Sequence, residues 1–319
     1  MKLKQKLVPY YVSFKETRET CALQKDAAIA GRQLEANIIR QLHGVEKGLC
    51  LENPRLGFGI PKIHEMFDYV QQYLALGEEN YFCLYMVRDA VQAYLDFHKE
   101  KGFSNEGVES VAQRLQWLKE QLPENAECFG GTQLFSKDQM QFTPEQVENL
   151  FYTRHSVREF SGEPVSSEDI KRAIALAQMC PSACNRQCSR VYLVDPKKYM
   201  AEMKSDLQGI GGFADDAYGF LLVTAKKSAY ALGERHQHLV SGAIFAGYLA
   251  LALHACNIAA CTVQRSVSPN VLWERFKRNN DIPGDEQIVL MFAIGKYKEE
   301  TKVPVSKRFP VDSIYRELK

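Results

Sequence analysis

Apolar residues recur at helical spacing through most of the first 145 positions. Four segments place an apolar residue every three or four positions, the spacing of one buried helix face: 35–49, 62–76, 81–98 and 108–122. Residues 53–61, between the first two segments, are rich in Gly and Pro and predict a loop. Residues 123–142 show no clear period. This half of the chain is therefore predicted to be helical, with a linker at its end.

Helical and extended patterns alternate after residue 142. Thr143, with Pro144 and Gln146 behind it, predicts the capped start of one helix, and Ser166 predicts another. A third start at residues 268–269 predicts a helix through Phe276. Short apolar runs predict strands at 191–194, 220–224, 259–263 and 288–294. The order predicts an α+β fold in which helices flank a sheet.

The composition shift divides the chain into a helical N-terminal extension, residues 1–142, and a sheet-containing domain, residues 143–319. Residues 239–263 contain no formally charged side chain and are long enough to span a bilayer. They lack aromatic belts, and Asn257 interrupts them before a β-prone run. We therefore predict a buried helix followed by a strand, and keep a membrane-embedded scaffold as the alternative.

Composition narrows the functional class. The 319 residues carry a net charge of +1, which does not indicate binding to nucleic acid or to an acidic membrane. Nine scattered cysteines, with no secretory signal, indicate reduced thiols and a cytoplasmic location. Cys180, Cys184 and Cys188 miss the spacing of an iron–sulfur motif. His236 and His238 lack a third ligand nearby, so we predict no metal.

Two short motifs are the strongest candidates for chemistry. The first contains Arg154, His155, Ser156 and Arg158. The two arginines lie four apart, so on a helical turn they share a face. An arginine matches a phosphate with two parallel hydrogen bonds, and the serine hydroxyl both donates and accepts. Alone, such a motif is often only a solvated helix end.

The second motif follows about two dozen residues later. It contains the small polar residues Pro181, Ser182, Asn185 and Gln187. Hydroxyl and amide groups are the donors and acceptors that a flat polar heterocycle needs. The two motifs together indicate a site for a phosphate and a heterocyclic ring.

The pair resembles the signature of the FMN-dependent nitroreductase family, over roughly residues 146–319. The resemblance implies that the first motif meets the flavin phosphate and pyrimidine edge, while the second reaches the flavin of the other subunit of a homodimer. It places Gln264 and Arg265 near the flavin N5 edge and Arg308 at the phosphate. The long apolar helix would then lie in the dimer interface.

A second resemblance concerns the N-terminal half. Residues 43–49 and 54–59 resemble the extension of a nitroreductase subgroup associated with bacterial surface-polysaccharide genes. His43, Glu46 and Lys47 could share a helix face. They are interpreted either as a packed helix end or as part of a lid over the flavin.

The resemblance implies an FMN-dependent oxidoreductase that works in two steps. NAD(P)H reduces the flavin and leaves, and a small oxidised acceptor then takes the electrons. The alternative is a non-catalytic flavin-binding partner protein in a surface-polysaccharide assembly. Neither the acceptor nor the preference between NADH and NADPH follows from the sequence.

Overall fold

The computed structural model describes residues 3–78, 80–195, 197–199, 212–263 and 276–318. Helices dominate the N-terminal part, as predicted: α1 (Leu3–Leu23), α2 (Ala30–Leu49), α3 (Ile60–Ala75), α4 (Phe82–Glu100) and α5 (Glu106–Gln121). The apolar pattern does not single out α1, because its apolar residues do not gather on one face. Tyr10, Tyr11 and Phe14 of α1 are exposed.

Helices α2 to α5 pack around a shared apolar core. Ile38 and Leu42 of α2, Phe67 of α3 and Tyr94 of α4 are fully buried within it. Burying an apolar side chain of this size contributes about 1.5–3 kcal/mol. The predicted helix faces are the faces that meet in this core, which we call the helical core.

The Gly- and Pro-rich loop at residues 53–61 is anchored to α4. The Gly57 N–H donates to His98 Nε2 at 2.9 Å, and the Tyr94 hydroxyl donates to the Phe58 carbonyl at 2.9 Å. Gly57 has a φ of 70°, a left-handed conformation that favours glycine. The loop therefore packs onto the helical core.

The second half contains the predicted alternation. Its elements are α6 (Pro144–Thr153), α7 (Ser167–Gln178), β1 (Ser189–Val194), β2 (Gly219–Lys226), α8 (Gln237–Ala255), β3 (Ala259–Val263) and β4 (Glu286–Gly295). Thr143 and Gln146 form the predicted capping box of α6. The Ser166 side chain caps α7. The helix predicted from residue 268 lies, up to residue 275, outside the described residues.

The four strands form an antiparallel sheet in the order β1-β2-β4-β3. Every residue of β2 is buried, because both faces of the sheet are covered. Leu221 and Val223 face a cluster with α7 and α8, while Phe220 and Leu222 belong to the cluster on the other face. The predicted α+β fold is thereby confirmed.

Helix α8 packs on the sheet through one side only. Phe245 and Leu249 are buried, and at Gly242 an added Cβ would lie 2.6 Å from Val289 Cγ2. Val240 and Tyr248, on the opposite side, are exposed.

Among the described helices, α8 alone is long and apolar enough to cross a membrane, although a core helix passes the same test. It ends before Asn257, whose φ is 56°, as predicted.

Charged side chains join α2 to the end of the sheet. Arg32 binds the buried carboxylates of Asp285 (Nε–Oδ2, 3.2 Å) and Glu286 (Nη2–Oε1, 2.8 Å). Lys226 Nζ lies 2.9 Å from Glu35 Oε2. These contacts, which we call the ionic junction, tie the N-terminal helices to the sheet.

Candidate functional site

The first motif follows the end of α6 and is not helical. Helix α6 ends at Thr153, and Arg154 leaves it with a φ of −73° and a ψ of 115°. The Val157 N–H then donates to the Ala260 carbonyl of β3 at 3.0 Å, and the Val157 side chain is buried. The prediction that Arg154 and Arg158 share a helical face is therefore wrong.

The motif's polar residues lie in one short segment beside β3. Arg158 is exposed, and its Nη1 lies 3.4 Å from the Ser156 carbonyl oxygen. Arg154, His155 and Ser156 are half-buried. Two guanidiniums and a hydroxyl thus lie within one segment that the Val157 N–H anchors to the sheet.

A histidine from α8 lies behind the first motif. His254 Nε2 is 2.8 Å from Thr153 Oγ1, and its Nδ1 is 2.8 Å from the Tyr297 hydroxyl. Burial, followed by the charges of Arg154 and His155, lowers the pKa of His254. Its imidazole is therefore neutral near pH 7.

The second motif is a tight loop with an unusual backbone. Cys184, Asn185 and Gln187 all have left-handed conformations, with φ of 51°, 53° and 45°. Residues other than glycine adopt this conformation rarely, and such strain tends to occur at functional sites. The Ser182 hydroxyl accepts from the Gln187 N–H at 3.1 Å, and the Ser182 carbonyl accepts from the Asn185 N–H at 2.9 Å.

Arg186 holds this loop, a role that the sequence analysis did not assign. Its side chain is buried and forms a two-pronged ion pair with Glu234. Its Nη1 also donates to the Ala229 carbonyl at 2.8 Å, and its guanidinium lies 4.1 Å from the centre of the Tyr230 ring. Hydrogen bonding from Arg186 lowers the pKa of Glu234 to about 2. The ion partners lie far apart in sequence, so no local pattern indicates the pair.

The two motifs lie at opposite ends of α8 within one chain. The loop contacts the start of the helix, where the Ala183 N–H donates to Ser241 Oγ at 3.4 Å. The first motif lies beside His254 at the other end. At roughly 1.5 Å per residue, about 20 Å of helix separate Ser241 from His254.

The remaining predicted site residues lie elsewhere or are not described. Pro181 is exposed at the start of the second motif. Arg308 lies in an exposed C-terminal segment and donates to the Ser306 carbonyl. Gln264 and Arg265 lie outside the described residues. Within the described residues, no hydrogen bond or ion pair joins Arg308 to the first motif.

The contacts of Glu46 support the interpretation of residues 43–49 as a packed helix end. The Gly131 N–H donates to Glu46 Oε1 at 3.2 Å, and His43 Nδ1 lies 3.9 Å from Glu46 Oε2. Burial raises the pKa of Glu46 and, together with the Lys47 charge, lowers that of His43. Glu46 therefore holds the linker against α2 at Gly131.

His238 lies in the first turn of α8. It is buried, and its Nε2 lies 2.8 Å from Gln287 Oε1. Among the described residues, no group of three or more His, Cys, Asp or Glu side chains is arranged to hold a metal ion.

Several solved structures are similar to part of the chain. A nitroreductase with bound FMN from Desulfitobacterium hafniense shares 20% identity over 56% of this chain and 100% of its own, with a TM-score of 0.44. An FMN-dependent nitroreductase from Clostridium difficile shares 18% over 54% and 99%, with a TM-score of 0.45. A nitroreductase family protein from Streptococcus pneumoniae shares 18% over 54% and 100%, with a TM-score of 0.44.

One match concerns the residues that contain both motifs. No curated protein matches the chain. Residues 152–209 match the model of the nitroreductase family, and this segment contains both motifs. The match supports the resemblance to that family that the two motifs predict.

Proposed function

We propose that the protein is an FMN-dependent NAD(P)H oxidoreductase acting on a small oxidised acceptor, with the flavin held by residues 143–319. The observation that supports this most is that Arg154, Ser156 and Arg158 lie in one short segment that the Val157 N–H anchors to β3, within the residues that match the nitroreductase family model. Three donors fixed in this way fit a phosphate and a polar ring edge. Bound FMN would supply the hydride and electron transfer between NAD(P)H and the acceptor.

The chain's own residues would bind and orient the cofactor. Arg154 and Arg158 would neutralise negative charge on the phosphate and the pyrimidine edge, and Ser156 would donate a hydrogen bond. Gln264, Arg265 and Arg308 remain proposed cofactor contacts on the family resemblance. The fixed, left-handed loop would present Ser182, Asn185 and Gln187 to the ring without a large ordering cost.

We further propose a homodimer in which each flavin site combines both chains. The separation of the motifs along α8 supports it, because two antiparallel α8 helices would bring the first motif of one chain to the loop of the other. The exposed apolar side of α8 includes Val240, Ile244 and Tyr248, and a symmetric interface would bury it.

The visible spectrum and turnover of the purified protein test the function. Flavin absorption, together with steady NAD(P)H oxidation on addition of a quinone or nitro acceptor, would support the enzyme. Tight FMN binding without turnover would support the non-catalytic partner protein instead. A protein that neither contains nor binds FMN would contradict both. The polysaccharide-associated subgroup remains a prediction.

Mixed dimers test the shared site. Arg158→Ala and Gln187→Ala should each impair FMN binding, and their mixture should regain it after subunit exchange. Random pairing in a two-fold dimer leaves about a quarter of all sites with both wild-type motifs. No recovery, with subunit exchange verified, would show that both motifs serve the same chain.

A further inference from the structure

Three side chains form a hydrogen-bonded chain directly behind the first motif. Tyr297 follows β4, His254 is near the end of α8, and Thr153 is the last residue of α6. Both contacts of the central imidazole measure 2.8 Å. The ends of a strand and two helices are therefore joined beside Arg154.

The proton of each group in this chain can be assigned. The Thr153 hydroxyl donates its one proton to the Asn149 carbonyl at 2.6 Å, so it must accept from His254 Nε2–H. Nδ1 then has no proton and accepts from the Tyr297 hydroxyl. The lowered pKa of His254 agrees with this neutral form. The hydrogen bonds thus run in one direction, from Tyr297 to His254 to Thr153.

Thr153, at one end of this hydrogen-bonded series, determines where the first motif begins. Arg154 immediately follows Thr153 and is the residue at which the backbone changes from helical to extended. Fixing the Thr153 side chain against His254 fixes the last turn of α6 and the departure point of Arg154. Arg154 lies close enough for its charge to act on both His254 and Tyr297.

We infer that Thr153, His254 and Tyr297 are positioning residues that hold Arg154 for the flavin phosphate. This inference rests on the proposed function. It requires that the three residues affect phosphate recognition more than recognition of the ring.

The test compares the Kd values of FMN and riboflavin, because riboflavin lacks the phosphate. Each of three substitutions removes at least one hydrogen bond of this series: Thr153→Val, His254→Leu and Tyr297→Phe. Each should weaken FMN binding about tenfold, the effect of one lost hydrogen bond, and change riboflavin binding little. His254→Gln keeps a neutral donor and acceptor and should retain most of the FMN preference. Tyr69→Phe, in the helical core region, is the matched control and should leave both Kd values unchanged.

The outcomes separate this inference from the proposed function. A wild-type protein that binds neither flavin contradicts the proposed function. A wild-type protein that prefers FMN, with variants that keep the same FMN-to-riboflavin ratio, contradicts the inference alone. Equal weakening of FMN and riboflavin binding also contradicts it, because the three residues would then support only the fold.

Discussion

Arg186 shows at the scale of single residues how one side chain can hold a functional loop. It binds the Ala183 carbonyl of its own loop and, about 45 positions further on, the Ala229 carbonyl and Glu234. Removing its side chain would leave the Ala229 carbonyl without the guanidinium donor and the partly buried Glu234 carboxylate without its cation. Such uncompensated groups are the main cost of breaking a buried ion pair.

Arg186→Ala should therefore lower the free energy of unfolding by about 3 kcal/mol. Urea denaturation followed by circular dichroism measures this. Arg235→Ala is the matched control, because its ion pair with Glu16 is exposed, and its loss should cost less than about 1 kcal/mol. Equal effects of the two substitutions would show that Arg186 does not anchor the loop.

Histidine residues should make the protein sensitive to mild acid. Burial is the first cause of the lowered pKa of His43, His238 and His254. The unfolded chain then binds more protons than the folded chain below about pH 6.5, so stability falls as pH falls. Glu234, with a pKa of about 2, contributes stability that is lost only at lower pH, from its usual range downward.

Urea denaturation between pH 7.5 and 5.5 should show this decrease in wild-type protein. His238→Gln keeps a polar partner for Gln287 and cannot titrate, so its stability should depend less steeply on pH. An unchanged slope in that variant would exclude His238 as a source of the acid sensitivity.

The residues of the candidate site could be predicted, but their local geometry could not. Short motifs report side-chain chemistry, so Arg154, Ser156 and Arg158 are identifiable from the sequence. Their segment is anchored by the hydrogen bond of Val157 to Ala260 of β3, a contact across about a hundred positions that spacing alone does not reveal. The left-handed backbone of the second motif is likewise set by tertiary contacts, since asparagine and glutamine also adopt ordinary conformations.

Elements were predicted well where one face is buried. Helices α2 to α5 have apolar residues at helical spacing because a single core covers one side of each. Helix α1 has no described buried side chain, so its pattern contains no such signal. Strand β2 is buried on both faces, and its continuous apolar run indicated a strand for that reason.

The space around a glycine within a helix shows how closely a neighbouring element approaches that helix. An added Cβ at Gly242 of α8 would lie 2.6 Å from Val289 Cγ2, whereas at Gly44 of α2 it would meet nothing within 4 Å. Gly242→Ala should lower the free energy of unfolding by about 1–3 kcal/mol through overpacking. Gly44→Ala should raise it by about 0.5–1 kcal/mol through helix propensity. Thermal unfolding of both variants measures the contrast, and a stabilising Gly242→Ala would contradict the close packing of α8 on the sheet.

At the scale of the whole molecule, ion pairs bind the N-terminal helices to the sheet. Asp285 and Glu286 are almost completely buried, and Arg32 of α2 is bound to both. Burial would raise the pKa of Glu286, but hydrogen bonds from Thr224, Arg32 and Tyr192 lower it overall. Removing the N-terminal helices would leave these carboxylates without their cation.

Arg32→Ala should therefore destabilise the protein by about 3 kcal/mol. The measurement is urea denaturation, followed separately by a sheet-sensitive and a helix-sensitive signal. Lys171→Ala breaks an exposed pair with Glu168 and should change stability by less than about 0.5 kcal/mol. A wild-type stability in Arg32→Ala would mean that the ionic junction is dispensable.

Helix α2 touches both the helical core and the loop of the second motif. It packs against Ala183–Asn185, and its Ala36 lies in one cluster with Cys188 and Tyr230. A ligand that binds the loop would stabilise it further and so suppress local opening of this helix. Backbone amides of α2 should then exchange with deuterium more slowly when FMN is added, although they belong to the part of the chain outside the family match.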